Sequence, residues 1–129
     1  MRWLNSKEVL AIHARQIAEH GGINGVRDLG LLESALARPQ NILAYEPEAD
    51  IASLAAAYAF GIAKNHPFLD GNKRTAYVAM RTFLVLNGIE FTATQEDKYL
   101  TFIDLSAGNL SEDSLAEWIR KNVSGEPKI

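Results

Sequence analysis

The stretch from residue 51 to residue 65, IASLAAAYAFGIAKN, limits what this chain can fold into more than any other segment. It is rich in alanine, and its apolar face includes Ile51, Leu54, Tyr58 and Ile62. Small side chains let neighbouring helices approach closely, so the pattern predicts a helix that is packed on several sides. A helix of this kind needs partner helices around it, which favours an all-α fold.

Capping residues indicate where the helices begin. In chain order, the expected starts are Asn5 (in a capping box with Glu8), Asp28, Asp50, Asn72, Thr94 and Ser111. This spacing predicts about six helices in a single domain over residues 1–129. The helices that begin at Asp50 and Asn72 are expected to be the two central ones, with a loop between them.

Breaks in the helical pattern indicate the connections. The second helix is expected to stop before Pro39, and residues 39–49 then form an irregular connection. Residues 21–30, GGINGVRDLG, predict a loop with some extended character. The stretch IEFTA is extended but too short and solitary to build a sheet, and the tail SGEPKI is expected to be frayed.

Composition excludes several functions. The chain has no cysteine, which excludes disulfides, thiolate catalysis and cysteine-based zinc sites. A net charge of −3 and a pI near 5.6 argue against general nucleic-acid binding, because such binding depends on neutralising phosphates. No run approaches the roughly 20 apolar residues of a membrane span, and the N-terminus lacks a signal-peptide core. We therefore expect a cytoplasmic protein that binds neither membranes nor nucleic acids directly.

The segment HPFLDGNKRTA, residues 66–76, carries a local contradiction. A turn at Asp70-Gly71 precedes a helix whose first turn contains Lys73 and Arg74. The N-terminal end of a helix is already positive, so acidic residues are normally favoured there. The two cations make sense if a polyphosphate binds at this point, because the free N–H groups of a helix N-terminus also bind anions.

Other side chains in the segment suit the same interpretation. Gly71 lets a ligand approach the backbone closely, and Asp70 is placed to hold Mg²⁺ beside phosphate groups. His66 suits a general base, since an unperturbed imidazole accepts a proton near neutral pH. Phe68 is expected to point inward and anchor the loop, while Asn72 either binds a phosphate oxygen or fixes the loop.

A purely structural interpretation fits each of these residues taken singly, because lone histidines and Lys-Arg pairs usually have no catalytic role. The combination of base, carboxylate, glycine, amide and two cations within residues 66–74 favours a functional site. Other catalytic patterns do not fit: the Walker A spacing is absent, as is a G-x-S-x-G elbow. His13 and His20 lack the HExxH pattern of zinc proteases, and His13 is expected in the core or at the rim of the first helix.

The segment resembles the signature of the Fic/Doc family, written approximately HxFx(D/E)(A/G)N(K/G)R. The positions that match are His66, Phe68, Asp70, Gly71, Asn72, Lys73 and Arg74. The short helical chain and the upstream stretch GVRDLGLLESALARPQ look like the Doc ("death on curing") branch, the toxins of type II toxin–antitoxin systems. The resemblance extends from the first helix to about residue 110.

The resemblance implies one of two reactions on the same scaffold. Most Fic proteins transfer AMP from ATP to a target hydroxyl and have glycine where this chain has Lys73. Doc toxins instead transfer the γ-phosphate of ATP to a threonine of elongation factor Tu, which blocks translation. Lys73 and the residues directly after it look Doc-like, whereas Pro67 and Gly71 look like the AMP-transferring branch. Because a lysine fills the space that an extra phosphate needs, we expect the kinase; AMP transfer and an inactive nucleotide- or antitoxin-binding module are the alternatives.

Carried over position by position, the resemblance implies a role for each motif residue. His66 is the expected general base that deprotonates the target threonine, and Asp70 is the expected ligand of Mg²⁺. The remaining residues position the phosphates and stabilise charge in the transition state. These expected nucleotide-binding residues are Gly71, Asn72, Lys73 and Arg74.

The resemblance also implies two contacts with other proteins. In Fic proteins the segment ahead of the motif docks the target, which here corresponds to residues 21–30 with Arg27 and Asp28, although both also suit a turn and a cap. The inhibitory motif (S/T)xxxE(G/N) of many Fic proteins is not matched, because its nearest match, Thr92 to Glu96, is followed by Asp97 in place of glycine or asparagine. We therefore expect inhibition in trans by an antitoxin whose disordered tail folds on binding.

Overall fold

The computed structural model describes residues 1–126 as a helical protein with one very small sheet. The elements are α1 (Ser6–His20), α2 (Leu29–Tyr45), α3 (Ile51–Asn65), α4 (Asn72–Leu86), β1 (Glu90–Phe91), α5 (Gln95–Ser106), α6 (Glu112–Lys121) and β2 (Val123–Ser124). These elements share one hydrophobic core. The all-α class and the position of the motif loop between α3 and α4 are confirmed. Across this range, no helix has the length and apolarity needed to cross a membrane.

Helix α3 lies at the centre and packs against α2, α4, α5 and α6. Its small residues explain how so many neighbours fit around it. At Gly61, an added Cβ atom would lie only 3.2 Å from the Cβ atom of Ala35 in α2. Tyr58 is fully buried on another side of the helix, where its hydroxyl accepts a hydrogen bond of 2.9 Å from the backbone N–H of Leu4. The alanine-rich sequence therefore lets α3 pack closely on several sides, and this packing fixes the position at which the following loop begins.

Capping side chains begin five of the six helices in the described range. The caps are Asn5, Asp28, Asp50, Thr94 and Ser111, each accepting a hydrogen bond from a backbone N–H three positions on. Helix α4 differs, because its N-cap is Gly71, which forms no side-chain cap. The N–H groups in the first turn of α4 therefore lack the acceptor that the other helices have.

The expected end of the second helix before Pro39 is wrong, and so is the irregular connection over residues 39–49. Helix α2 continues through the proline, which removes only the bond that its N–H would donate to the carbonyl of Ala35. Pro39 is buried, and the core-facing side of α2 runs on to Ile42, which packs against the core. Tertiary packing of this face offsets the missing hydrogen bond.

The stretch IEFTA is extended as expected, but it is not solitary. Its β1 residues pair in antiparallel fashion with β2, Glu90 opposite Ser124 and Phe91 opposite Val123. The expectation of a frayed tail is therefore wrong at its start, where Ser124 is paired, and residues 127–129 lie outside the described range. Two-residue strands that are far apart in sequence give no periodic signal from which their pairing can be predicted.

Candidate active site

The loop between α3 and α4 begins with a strained residue. His66 has φ 49° and ψ 56°, and within residues 1–126 it is the only non-glycine residue with a positive φ. A left-handed conformation costs an L-residue about 1–2 kcal/mol. It turns the chain sharply at the end of α3 and leaves the imidazole exposed at the surface. Strain of this kind persists only where surrounding contacts hold it, and it is frequent at active sites.

The Asn72 side chain holds the loop from inside. Its Oδ1 accepts a 3.0 Å hydrogen bond from the N–H of Phe68, and its Nδ2 donates one of 2.9 Å to the carbonyl of the same residue. The same Nδ2 lies 3.3 Å from Nδ1 of His66. Asn72 is 7% exposed, so its amide fixes the loop, the second of the two roles considered for it. Direct contact between Asn72 and a phosphate stays a prediction.

Helix α1 supports the loop through His13, which sequence analysis placed in the core or at the rim. His13 is buried, and its ring stacks on that of Phe68 with 3.8 Å between centroids and 4° between planes. Its Nε2 lies 2.8 Å from the carbonyl oxygen of Asp70. In this contact Nε2 carries the proton and donates. Nothing in the sequence connects position 13 with the loop, so this role was missed.

Residues 21–28 run beside the motif loop and supply the expected extended character. Val26 forms a β-bridge with Phe68, and the N–H of Leu69 donates a 3.1 Å hydrogen bond to the carbonyl of Gly25. The two segments therefore form a short paired ribbon at the surface. This ribbon fixes where the second half of the loop, including Asp70, lies.

The Asp70 carboxylate faces solvent and accepts two backbone hydrogen bonds. Ile23 N–H donates to Oδ2 at 3.1 Å, and Gly71 N–H donates to Oδ1 at 2.8 Å. These bonds hold the pKa of Asp70 below its ordinary value, so the carboxylate is ionised at neutral pH. The space beside it depends on Gly22, where an added Cβ atom would lie 2.8 Å from Oδ2.

Asp70 fits a magnesium ion only as part of a larger ligand set. No group of three or more candidate metal-binding side chains occurs in the part of the chain that the structure describes. One carboxylate with unshared lone pairs on both oxygens suits Mg²⁺, which takes its other ligands from phosphates and water. The donor set therefore fits an ion that arrives with a nucleotide.

The two cations in the first turn of α4 point outward and form no salt bridge within the described residues. Lys73 and Arg74 are exposed, and no carboxylate from residues 1–126 forms a salt bridge with either. The Nζ of Lys73 lies 5.9 Å from the ring centroid of Tyr99 in α5. Lys73 and Arg74 line a cavity of about 400 Å³ together with His66, Asp70 and Gly71. The expected base, metal ligand and phosphate-binding residues therefore meet in one place.

Gly71 is required by the fold. Its φ of 76° lies in the left-handed region, and an added Cβ atom would come within 3.3 Å of Cδ1 of Ile17 in α1. The missing side chain therefore lets α1 pack against the start of α4. Close approach of a ligand to Gly71 stays a prediction.

Arg27 and Asp28, the residues expected to dock the target, are both engaged within the protein. The Asp28 carboxylate caps α2 through the N–H of Leu31 at 3.0 Å. The Arg27 guanidinium donates to the carbonyls of Asn65 and His66, each at 2.7 Å. The side-chain geometry therefore favours the structural interpretation of both residues, and target docking by them stays a prediction.

A helical domain with this loop between its two central helices, and these side chains in one cavity, is the arrangement expected for a Fic-type protein. The pattern of the Fic/DOC family matches residues 3–84, and the chain belongs to this family. It is 34% identical over 121 residues to "Protein kinase doc" of Escherichia phage P1, a match that covers 94% of this chain and 95% of the phage protein. It is 42% identical over 92 residues to "Toxin Doc" of Mycolicibacterium smegmatis, covering 70% of this chain and 68% of that protein. The family predicted from residues 66–74 is confirmed.

Proposed function

We propose that this protein is a Doc-type toxin that transfers the γ-phosphate of ATP to a threonine hydroxyl of elongation factor Tu and so blocks translation. One observation carries the proposal: the uncapped N-terminus of α4, with Lys73 and Arg74 beside it, faces the same cavity as His66. The names of the two relatives, one a kinase and one a toxin, support it.

The polyphosphate of ATP supplies the negative charge that this end of α4 lacks. The first-turn N–H groups donate to phosphate oxygens as they would to a capping side chain. Lys73 adds a compact positive charge, and Arg74 adds a planar pair of donors. Neither side chain forms a salt bridge with a carboxylate of the described residues, so both are available to phosphate. Mg²⁺ held by Asp70 neutralises phosphate charge when it is bound.

The proposed transfer breaks one bond to phosphorus and forms another. His66 takes the proton of the threonine hydroxyl, and the hydroxyl oxygen forms a bond to the γ-phosphorus. The bond from that phosphorus to the oxygen shared with the β-phosphate breaks, and ADP leaves with the electron pair. Lys73 and Arg74 stabilise the charge on the transferring group, which is the main contribution a protein makes to phosphoryl transfer.

The contact between Asn72 and His66 bears on how the base works. When Nδ2 of Asn72 donates to Nδ1, the proton of a neutral imidazole resides on Nε2. To accept the threonine proton through Nε2, the ring must adopt the other tautomer and leave this contact. At 3.3 Å the contact is long, so it opposes this change of tautomer only weakly.

The proposal includes the setting in which the toxin acts. Elongation factor Tu and ATP meet in the cytoplasm, and a toxin of this kind needs an antitoxin to protect the cell that makes it. We propose that a cognate antitoxin inhibits the protein in trans, as the resemblance to Doc toxins implies. Co-purification of the antitoxin with the toxin, at a fixed ratio, is the result that supports this part.

Labelled ATP tests the reaction. The protein is incubated with Mg²⁺, a bacterial lysate and ATP labelled at either the α or the γ phosphate. His66→Ala is the inactive control. His20→Ala is the matched control, because His20 is an exposed histidine at the end of α1, with its Nε2 4.0 Å from Oε2 of Glu19. We expect a band labelled only from the γ phosphate, present with His20→Ala and absent with His66→Ala. Label from the α phosphate alone indicates AMP transfer, and no label with any lysate indicates a binding module.

A further inference from the structure

Arg27 binds three consecutive carbonyl groups where α3 ends and the motif loop begins. Its Nε donates to the carbonyl of His66 at 2.7 Å, and its Nη2 donates to that of Asn65 at 2.7 Å. Its own backbone N–H donates to the carbonyl of Pro67 at 2.7 Å. One residue from the neighbouring segment therefore holds the main chain on both sides of the histidine.

These carbonyls need an external donor. The last carbonyls of a helix have no intrahelical N–H partner, and they lie at the negative end of the helix dipole, where a guanidinium is favourable. Within the described residues, Arg27 is the only side chain that hydrogen-bonds the main chain of His66. His66 is also the residue held in the left-handed conformation. The strain and the contact that opposes its relaxation occur at the same place.

We propose that Arg27 is a positioning residue for His66. It does not touch the substrate; it holds the main-chain conformation that directs the imidazole toward the cavity lined by Lys73 and Arg74. This inference rests on the proposed function for its kinetic consequence. Its structural consequence, the orientation of the His66 ring, does not depend on which phosphate is transferred.

Arg120 provides a matched control at the opposite end of the same helix. Its guanidinium also makes two hydrogen bonds, of 2.6 and 3.0 Å, to the two carboxylate oxygens of Asp50, the N-cap of α3. It binds the N-terminal end of α3, whereas the motif loop follows the C-terminal end, and it does not line the cavity beside His66. Arg120→Ala therefore removes an arginine that binds the other end of α3, without changing the contacts that hold His66.

The test combines NMR spectra of the histidine rings with transfer kinetics. The chain has 3 histidines, so the ring resonances are few, and His66→Ala assigns those of His66. We expect Arg27→Ala to shift the His66 resonances and to lower kcat by about 10- to 100-fold, with the KM for ATP close to that of the wild type. Arg27→Lys, which keeps the charge but cannot reach both carbonyls as a fork, should give intermediate values. Arg120→Ala should change neither the resonances nor kcat.

Three outcomes overturn the inference. The first is an Arg27→Ala protein whose His66 resonances and kcat both match the wild type. The second is a fall in kcat with unchanged His66 resonances, which indicates that Arg27 contacts the target directly. The third is an equal effect of Arg120→Ala, which indicates a general loss of helix stability. If Arg27→Ala does not fold, Arg27→Lys carries the comparison; if the wild type labels no protein, the proposed function fails while the NMR comparison still decides the inference.

Discussion

Replacing Asn72 by alanine, and comparing the variant with an alanine substitution at the other end of α4, should separate support of the loop from support of the fold. The Asn72 amide satisfies both backbone groups of Phe68 and contacts His66. Phe68 is 1% exposed, so solvent does not readily replace the lost partners. The change therefore acts both on stability and on the position of His66.

The expected loss of stability follows from the two backbone groups. A buried donor or acceptor left without a partner costs about 1–3 kcal/mol. Two such groups give about 2–6 kcal/mol, and relaxation of the loop toward water favours the lower half of that range. The free energy of unfolding of a native domain is about 5–15 kcal/mol, so the variant should remain folded at room temperature.

Asn87→Ala is the control, because the Asn87 amide also hydrogen-bonds backbone groups, at the other end of α4. Its side chain accepts from the N–H of Arg2 at 2.8 Å and donates to the carbonyls of Arg2 and Phe83 at 3.0 and 2.8 Å. It is 1% exposed and lies outside the cavity beside His66. Both variants should therefore lose a similar free energy of unfolding.

Urea denaturation and the rate of γ-phosphate transfer are measured on both variants. We expect similar unfolding losses, with transfer falling by about 100-fold in Asn72→Ala and staying near the wild-type rate in Asn87→Ala. Equal transfer rates in the two variants would refute the reasoning, because the loop would then not need Asn72 to present His66. A loss below about 1 kcal/mol in Asn72→Ala would refute the hydrogen-bond argument itself.

Two further changes test other contacts. Gly22→Ala places a Cβ atom 2.8 Å from Oδ2 of Asp70 at a residue with φ 118°, so we expect Asp70 to move and the Mg²⁺ concentration needed for half-maximal transfer to rise; an unchanged Mg²⁺ titration would contradict this. Hydrogen bonds from Arg120, the largest cause, and from Ser53 lower the pKa of Asp50 from 3.8 to about 2. Since the folded-state pKa is lowered, the stabilisation is complete above about pH 4 and is lost as the pH falls toward 2. At 1.36 kcal/mol per pH unit this is about 2.4 kcal/mol, and the 44% exposure of the Asp50 side chain reduces it to about 1 kcal/mol. Between pH 6 and pH 2, urea unfolding should therefore show a larger loss of stability in the wild type than in Arg120→Ala, and an equal loss in both would contradict this argument.

The parts of the fold that could be predicted from sequence are those with local causes. The caps at Asp50 and Thr94 act on N–H groups three positions away, so the residues that form each contact are visible in one short window. Pro39 misled the prediction, since its local cost is outweighed by burial of α2 against α3, which depends on residues far away in sequence. The pairing of β1 with β2 was missed for the same reason.

The candidate site also has parts that could be predicted from nearby residues and parts that depend on residues distant in sequence. The motif placed His66, Lys73 and Arg74 together because they lie within one turn and one loop. Their support was not visible: His13 and Arg27 reach the loop from α1 and from the neighbouring ribbon, across 57 and 39 positions of sequence. Arg27 was assigned to docking from the resemblance of residues 21–30 to the docking segment of Fic proteins, and nothing in the sequence indicates the carbonyls that it binds.

The most direct test of the proposed reaction is the intact mass of purified elongation factor Tu after incubation with this protein, Mg²⁺ and ATP. The proposal predicts the added mass of one phosphoryl group, on a threonine identified by fragmentation, with no change when His66→Ala replaces the wild type. Addition of an AMP group, or an addition that persists with His66→Ala, would contradict it.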